Sequence, residues 1–102
     1  MNEADLTEKL QRLETTEDHA ERRSLALELS DTGDLRVFDI LVRLIQRPEL
    51  ENRRGTLVYC LDSYDCSSVA DLLAQLTETG NFEVATQAAI ILDEQALRRP
   101  AS

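Results

Sequence analysis

The sequence predicts an all-α fold, a short right-handed α-solenoid of three antiparallel helical hairpins. The first observation behind this prediction is an internal repeat, because residues 37–41 align with residues 69–73 at a shift of 32. A fixed period near 30 residues is typical of stacked helical repeats. The second observation is the presence of only three glycines and two prolines, too few for a chain of tight β-turns. The third is a composition of 42% apolar but only 4% aromatic residues, which suits a core of aliphatic helices.

The first predicted hairpin begins with a narrow apolar stripe. Leu6, Leu10 and Leu13 recur at spacings of four and three, which predicts a helix over residues 3–14 with one face in water. A second helix is predicted over residues 18–30. Its inner side is expected to carry Ala20, Leu25, Ala26, Leu27 and Leu29.

The second predicted hairpin follows a turn at residues 31–33. The carboxylate of Asp34 suits an N-cap, since it can accept from the free amides of a first helical turn. A helix over 35–47 is expected from here, with Pro48 opening the next one, which covers 49–61. The broad apolar face of the 35–47 helix consists of Val37, Phe38, Ile40, Leu41, Leu44 and Ile45.

The third predicted hairpin repeats the capping pattern. Asp65 should cap a helix over 67–79, and Asn81 should cap one over 82–97. Gly80 stands where a left-handed residue often closes a helix. Connections of two to five residues require neighbouring helices to run antiparallel. Residues 1–97 are therefore expected to form one domain, and residues 98–102 a tail in which Arg98 and Arg99 suit the end of the last helix.

The charge of the chain favours a protein partner. Its net charge is −9, from 20 acidic and 11 basic residues, and such a domain repels nucleic acid and anionic lipid. It would attract a basic protein surface, although the same charge can serve solubility alone. The first residues lack a basic and apolar leader, and no apolar run could span a membrane. The sequence thus predicts a cytoplasmic protein that binds neither nucleic acid nor membrane.

Signatures of catalysis and of metal or cofactor binding are missing from the sequence. His19 is the single histidine, and no nucleophile motif accompanies it. Cys60 and Cys66 fit no CxxC motif and no disulfide framework, so reduced thiols are expected. The segment 31–34 lacks the alternation and the closing glutamate of a calcium loop. We therefore predict a non-enzymatic protein without metal or cofactor.

An arginine pair opens a similar apolar segment in two units of the chain. The first unit reads Arg22-Arg23-Ser24-Leu25-Ala26-Leu27-Glu28-Leu29, and residues 53–61 repeat the pattern from Arg53-Arg54 onward. With these segments the chain resembles the HEAT-repeat family, particularly short bacterial repeats related to the lyase-like subgroup. The third unit departs from the pattern, with Ala85-Thr86 in place of the arginine pair. The recurring arginines are interpreted as structural ion-pair partners between adjacent repeats. The resemblance implies that second helices line a concave face, and it specifies an architecture rather than an activity.

That concave face is the predicted binding surface. On the second helices, small residues occupy its middle and acids its edges, with Tyr59 and Ile91 as apolar anchors, which suits a basic protein. The alternative is a solvated polar face without a partner. The candidate partner-binding residues are Glu28, Glu51, Arg54, Tyr59, Asp62, Tyr64, Glu83, Gln87, Ile91 and Glu94.

The last helix carries an extra apolar stripe of Val84, Ala88 and Ile91, beside an expected core stripe that starts at Phe82. A terminal repeat is usually more polar, so this end could hold a second copy of the chain, a partner, or the chain's own tail at Ala96-Leu97. In size, charge and fold the chain is similar to immunity proteins that neutralise a cognate bacterial toxin. A scaffold or regulatory adaptor on a cytoplasmic enzyme is the alternative, and a pigment-attaching accessory protein a third.

Overall fold

The computed structural model describes residues 1–97, and this part of the chain is helical without strands. Two short 3₁₀ segments, Pro48–Arg53 and Ser67–Val69, precede the fourth and fifth α-helices. The α-helices are α1 (Glu3–Thr15), α2 (His19–Ser30), α3 (Leu35–Ile45), α4 (Gly55–Leu61), α5 (Ala70–Thr79) and α6 (Phe82–Glu94). The predicted all-α class is confirmed.

The helices pack as neighbours along the chain and also across it. The chain neighbours α1 and α2, α3 and α4, and α5 and α6 contact each other. Helix α2 additionally packs on α4, α4 packs on α6, and α1 packs on α3. The principal extents are 48 × 25 × 15 Å, so the molecule is elongated along one axis.

The core follows the apolar periodicity of each helix. Leu10 and Leu13 are the buried residues of α1, in agreement with its narrow stripe. All the aliphatic residues of the predicted α3 face are buried, while Phe38 is half-buried against them. Removing these side chains from water is the main favourable contribution to folding.

Side-chain caps define where four of the helices start. The side chains of Asn2, Asp18, Asp34 and Asn81 accept backbone N–H groups of the first turns of α1, α2, α3 and α6, respectively. These bonds satisfy amides that have no partner within the helix. The predicted caps Asp34 and Asn81 are confirmed. Asp65 accepts the backbone N–H and the hydroxyl of Ser67, at the start of the second 3₁₀ segment.

The prediction of one helix over 49–61 was wrong. Pro48 opens a 3₁₀ segment that buries Leu50, and α4 begins only at Gly55. Glycine is among the poorest helix formers, so a break in the middle of the expected helix falls where continuation is least favourable. The fifth helix likewise starts later, at Ala70, after the 3₁₀ turn.

The predicted left-handed conformation at Gly80 was also wrong. Its φ is −75° and its ψ is 161°, an extended conformation open to any residue. Close approach explains the glycine instead. A Cβ at this position would lie 2.6 Å from Cγ1 of Val84 and 2.7 Å from the carbonyl oxygen of Leu76. Gly80 therefore lets the turn between α5 and α6 pass tightly against both helices.

Helix α6 ends at Glu94, three residues before the predicted end. Ala96 has a φ of 54°, and the amide of Leu97 donates to the carbonyl of Leu92 at 2.8 Å. The amide of Ala96 donates to Asp93, which completes a Schellman motif. The predicted contact of Arg98 and Arg99 with the helix end lies outside the described residues.

The expected inner faces of α2 and α6 were partly wrong. In α2, Arg22 is buried with Ala26 and Leu29, whereas Leu27 is 45% exposed and Ala20 is exposed. In α6 most of the expected core stripe lies outside the core, although its last member, Leu92, is buried. The stripe of Val84, Ala88 and Ile91 is buried, and Phe82 is 88% exposed. Since successive helical residues differ by 100° around the axis, an error of one position rotates the inferred face substantially.

Candidate functional site

The predicted site residues do not form one surface, and two of them are buried. Ile91 is fully buried in the core and Tyr64 is 7% exposed. The Tyr64 hydroxyl donates to the carbonyl of Asp34 at 3.2 Å, and its ring lies 5.6 Å from that of Phe38. Burial raises the pKa of Tyr64 to about 12. Both residues are therefore parts of the core, and their prediction as partner contacts was wrong.

Glu51 and Arg54 lie in a different place from Tyr59. They line a groove of about 300 Å³ between the end of α3 and helix α5. The Arg54 guanidinium donates to the carbonyls of Glu51 and Ile45, at 3.1 and 3.5 Å. The break in the predicted helix is the reason, because Glu51 belongs to the 3₁₀ segment and not to α4.

Glu28 and Glu83 make contacts of their own. Glu28 accepts from the ammonium group of Lys9, so it faces α1. The Glu83 side chain lies directly over Gly55, where a Cβ would collide with its carboxylate. Gln87 is half-buried on α6. These residues therefore occupy separate positions along the second helices.

Tyr59 and Asp62 lie together in a pocket of about 260 Å³ at the carboxyl ends of α2 and α4. Two apolar side chains belong to it: Tyr59 is 56% exposed and Leu27 is 45% exposed. Asp31 and Asp62 are the C-cap residues of α2 and α4. We call this the α2–α4 pocket, and its lining residues are Leu27, Ser30, Asp31, Tyr59, Cys60, Asp62 and Ser63.

A pair of carboxyl groups extends this acidic region to α6. The pKa of Glu94 is raised, first by a hydrogen bond with Asp62 and then by the charge of that carboxylate. The side-chain amide of Gln95 donates to Oδ1 of Asp62 at 3.1 Å. Asp62 is thus shared between the pocket and the α4–α6 junction, and Glu94 lies next to it. Of the predicted acids, Asp62 and Glu94 lie next to each other.

The inner wall of the pocket is inert. Ser30 is buried and its hydroxyl donates to the carbonyl of Ala26 at 2.6 Å. Burial raises the pKa of the Cys60 thiol, which therefore stays protonated at neutral pH. A buried, protonated thiol is a poor nucleophile. The pocket offers shape, apolar surface and negative charge rather than a reactive group.

Two of the recurring arginines, Arg22 and Arg54, contact carbonyl groups where acidic partners were expected. The buried guanidinium of Arg22 donates to the carbonyl of Thr16 and contacts Nδ1 of His19 at 2.7 Å. Arg54 reaches the carbonyl of Ile45 in the corresponding way. Each arginine thus binds the chain just after, or at the end of, the preceding helix, where carbonyls lack helical partners. His19 and Arg22 are structural residues in this arrangement.

Ion pairs between the first and second predicted hairpins come from other arginines. Arg36 pairs with Glu3 at 2.7 Å, and Arg43 pairs with Glu14 at 2.9 Å. Both join α1 to α3. The predicted ion pairing between units therefore exists, but it uses first-helix arginines that do not belong to the repeated pairs.

Leu27 and Asp31 line the pocket but are not among the candidate partner-binding residues. Leu27 was assigned to the core because its chemistry is apolar. The buried residues of α2 run through Arg22, Ala26 and Leu29, at spacings of four and three. Including the arginine in that stripe would have placed Leu27 outside it. Asp31 is predicted both as a turn residue and as the acidic end of the exposed stripe of α2, and it is the C-cap of that helix.

Metal-binding clusters and membrane-spanning helices are absent from the part of the chain that the structure describes. Within residues 1–97, no group of three histidine, cysteine or acidic side chains is placed to hold a metal ion. None of the helices in this range is long and apolar enough to cross a membrane. Comparisons with protein-family models, curated proteins and solved structures find no match for this chain. In the α2–α4 pocket, an exposed aromatic ring and two carboxyl side chains share one cavity.

Proposed function

We propose that the helices form a short right-handed solenoid of three antiparallel hairpins, similar to HEAT repeats. The row of contacts from α2 through α4 to α6 supports this proposal, as do the contacts within each chain-adjacent pair. In a stacked-repeat protein each unit packs on its neighbour, and one row of helices faces the partner. The α2–α4 pocket would then lie at the junction of the first two units.

On this scaffold, the chain acts as a non-enzymatic binding module for a basic protein, and as an immunity protein that blocks a cognate toxin. The observation that carries this function is the exposed pair Leu27 and Tyr59 in a pocket with Asp31 and Asp62. Interfaces bind most strongly where an aromatic residue is surrounded by groups that exclude water. A net charge of −9 would accelerate encounter with a basic partner.

The test is coexpression with the product of the neighbouring gene. We expect a salt-sensitive complex by isothermal titration calorimetry, and rescue of growth if that product is toxic. Tyr59→Ala should weaken the complex by about 2 kcal/mol or more if the ring is a central contact. Asp62→Lys should weaken it further, mainly at low salt.

The matched control is Glu8→Lys, which reverses the same charge on an exposed residue of α1. It should change affinity only slightly, through the net charge. If neither complex formation nor rescue occurs, the immunity function is wrong. If all three variants bind equally well, the partner uses another face of the molecule.

Self-association is a second candidate, and the exposure of Phe82 favours it. This aromatic residue is 88% exposed at the start of α6, with half-buried Ala85 and Ala89 on the same side of the helix. A homodimer or an adaptor contact through α6 would cover it. Light scattering should then give a dimer mass that Phe82→Glu converts to a monomer mass. A monomer for the unaltered chain over a wide concentration range would exclude the dimer.

A further inference from the structure

We propose that the α2–α4 pocket receives a single arginine side chain of the partner protein. This inference rests on the proposed binding function and specifies its chemistry. The methylene stem would lie along Leu27, and the guanidinium would face Tyr59. Its N–H groups would donate to the carboxylates of Asp31 and Asp62, which line the same pocket.

The helix geometry adds negative potential to that of the carboxylates. Ser30 and Leu61 are the last residues of α2 and α4, and the pocket lies at these two carboxyl ends. The aligned peptide dipoles give the carboxyl end of a helix a partial negative charge, while the carbonyls of Ser30 and Leu61 themselves accept from Gly33 and Tyr64. Asp31 and Asp62 add two formal charges at the same place. The two helix ends and the two carboxylates together are complementary to a cation.

Arginine fits the pocket better than lysine. Its planar guanidinium can stack on the face of Tyr59 while it binds carboxylates through several N–H groups. A lysine ammonium is a compact, strongly hydrated charge without a planar face. Tyr59 offers such a face because more than half of its side chain is exposed. The pocket therefore discriminates between the two cations through the ring.

The neighbouring carboxyl pair strengthens the preference for a cation. Asp62 and Glu94 repel each other when both are ionised, as the raised pKa of Glu94 indicates. A guanidinium bound at Asp62 would reduce this repulsion. Occupancy of the pocket thus also relieves an unfavourable contact between α4 and α6.

The experiment uses three capped tripeptides, glycine-X-glycine, with arginine, lysine or citrulline at X. Citrulline has nearly the shape of arginine without the charge. Each peptide is titrated into the ¹⁵N-labelled full chain and followed by amide chemical shifts. We expect saturable shifts for the arginine peptide at Leu27, Asp31, Tyr59 and Asp62. The lysine peptide should bind more weakly, and the citrulline peptide should give no saturable shift.

Two variants separate the contributions of ring and charge. Tyr59→Leu keeps an apolar wall, and loss of the cation–π contact should weaken arginine binding about 2- to 5-fold. Asp62→Asn removes a charge-assisted hydrogen bond and should weaken binding about 10-fold. Glu8→Gln, a neutralisation outside the pocket, should leave the affinity nearly unchanged.

The inference is overturned if the shifts do not saturate, spread over the acidic surface, or persist unchanged in both pocket variants. Failure of the proposed function gives a different result. If the tripeptide binds in the pocket but no basic protein forms a complex, the binding function fails and the arginine site stands. If a basic protein binds and Asp62→Lys abolishes binding while the tripeptide does not bind, only the arginine site fails.

Discussion

Replacement of Gln95 by alanine should destabilise the protein because one side chain joins α6 to the α4–α5 connection. Oε1 accepts the backbone N–H of Cys66 at 2.8 Å, and Nε2 donates to the carbonyl of Tyr64 at 2.9 Å. A third bond reaches Oδ1 of Asp62 at 3.1 Å and is more exposed. Cys66 is fully buried, so its amide would lose its partner away from water.

The magnitude follows from these bonds. Each of the two bonds to backbone groups contributes about 1 kcal/mol, and an unpaired buried amide adds a penalty of similar size. We expect Gln95→Ala to lower the free energy of unfolding by about 2–3 kcal/mol, a large share of the typical stability of a small domain. Gln87→Ala is the matched control, since it makes the same change at a half-buried position of α6. It should change stability by less than about 0.5 kcal/mol.

The assay is urea unfolding followed by far-ultraviolet circular dichroism at neutral pH. The slope of the transition should remain constant, because the surface exposed on unfolding does not change. A loss for Gln95→Ala within about 0.5 kcal/mol of that for Gln87→Ala would refute the role of these hydrogen bonds. A large loss only at low salt would instead indicate the exposed, charge-assisted bond to Asp62.

Three further predictions concern backbone conformation and pH. Ala96→Gly should stabilise the protein by about 1 kcal/mol in thermal unfolding, because glycine tolerates the positive φ at this position. Gly33→Ala, at a φ of 70°, should destabilise it by a similar amount. Destabilisation by Ala96→Gly together with stabilisation by Gly33→Ala would contradict the backbone explanation. Since the pKa of Tyr64 rises from 10 to about 12 on folding, stability should be complete below pH 10 and fall as the pH rises toward 12. Tyr64→Phe should reduce this alkaline loss in urea titrations, and an identical loss would contradict it. Asp62 raises the pKa of Glu94 above 4.5, first by a hydrogen bond and then because the two carboxylates repel each other when both are ionised. Glu94→Gln should therefore raise the melting temperature at neutral pH but not below pH 4.5. A gain in melting temperature at all pH values would exclude this repulsion as its cause.

The fold class could be predicted from the sequence where several local signals agree. In α3 the Asp34 cap and a broad aliphatic stripe both indicate the same helix, and the structure has it over Leu35–Ile45. The prediction of one helix over residues 49–61 was wrong because hydrophobic spacing alone cannot distinguish one helix from a 3₁₀ turn followed by a shorter helix. There, Gly55 was the signal for the break.

The binding pocket was only partly predictable, because exposure is a tertiary property. Tyr59 and Asp62 were found from their spacing, yet Tyr64 occupies the core through contacts with α3 that lie far away in sequence. Arg22 is the opposite case. It is a charged residue, yet it is buried at a position of the α2 stripe where an apolar residue was expected. Burial of this charged side chain depends on a carbonyl partner from another segment, and local sequence patterns do not reveal such a partner.

The packing of α5 has a consequence for how the molecule opens. Helix α5 packs extensively on α6 and also contacts the Ser67–Val69 turn. Helix α6 in turn joins the remainder of the molecule through α4. Cooperative units of a protein often coincide with such pairs. The last two helices should therefore lose amide hydrogen-exchange protection together, at a lower free energy than α2 and α4. Native-state exchange would record this as one shared opening event that leaves the α2–α4 pocket intact.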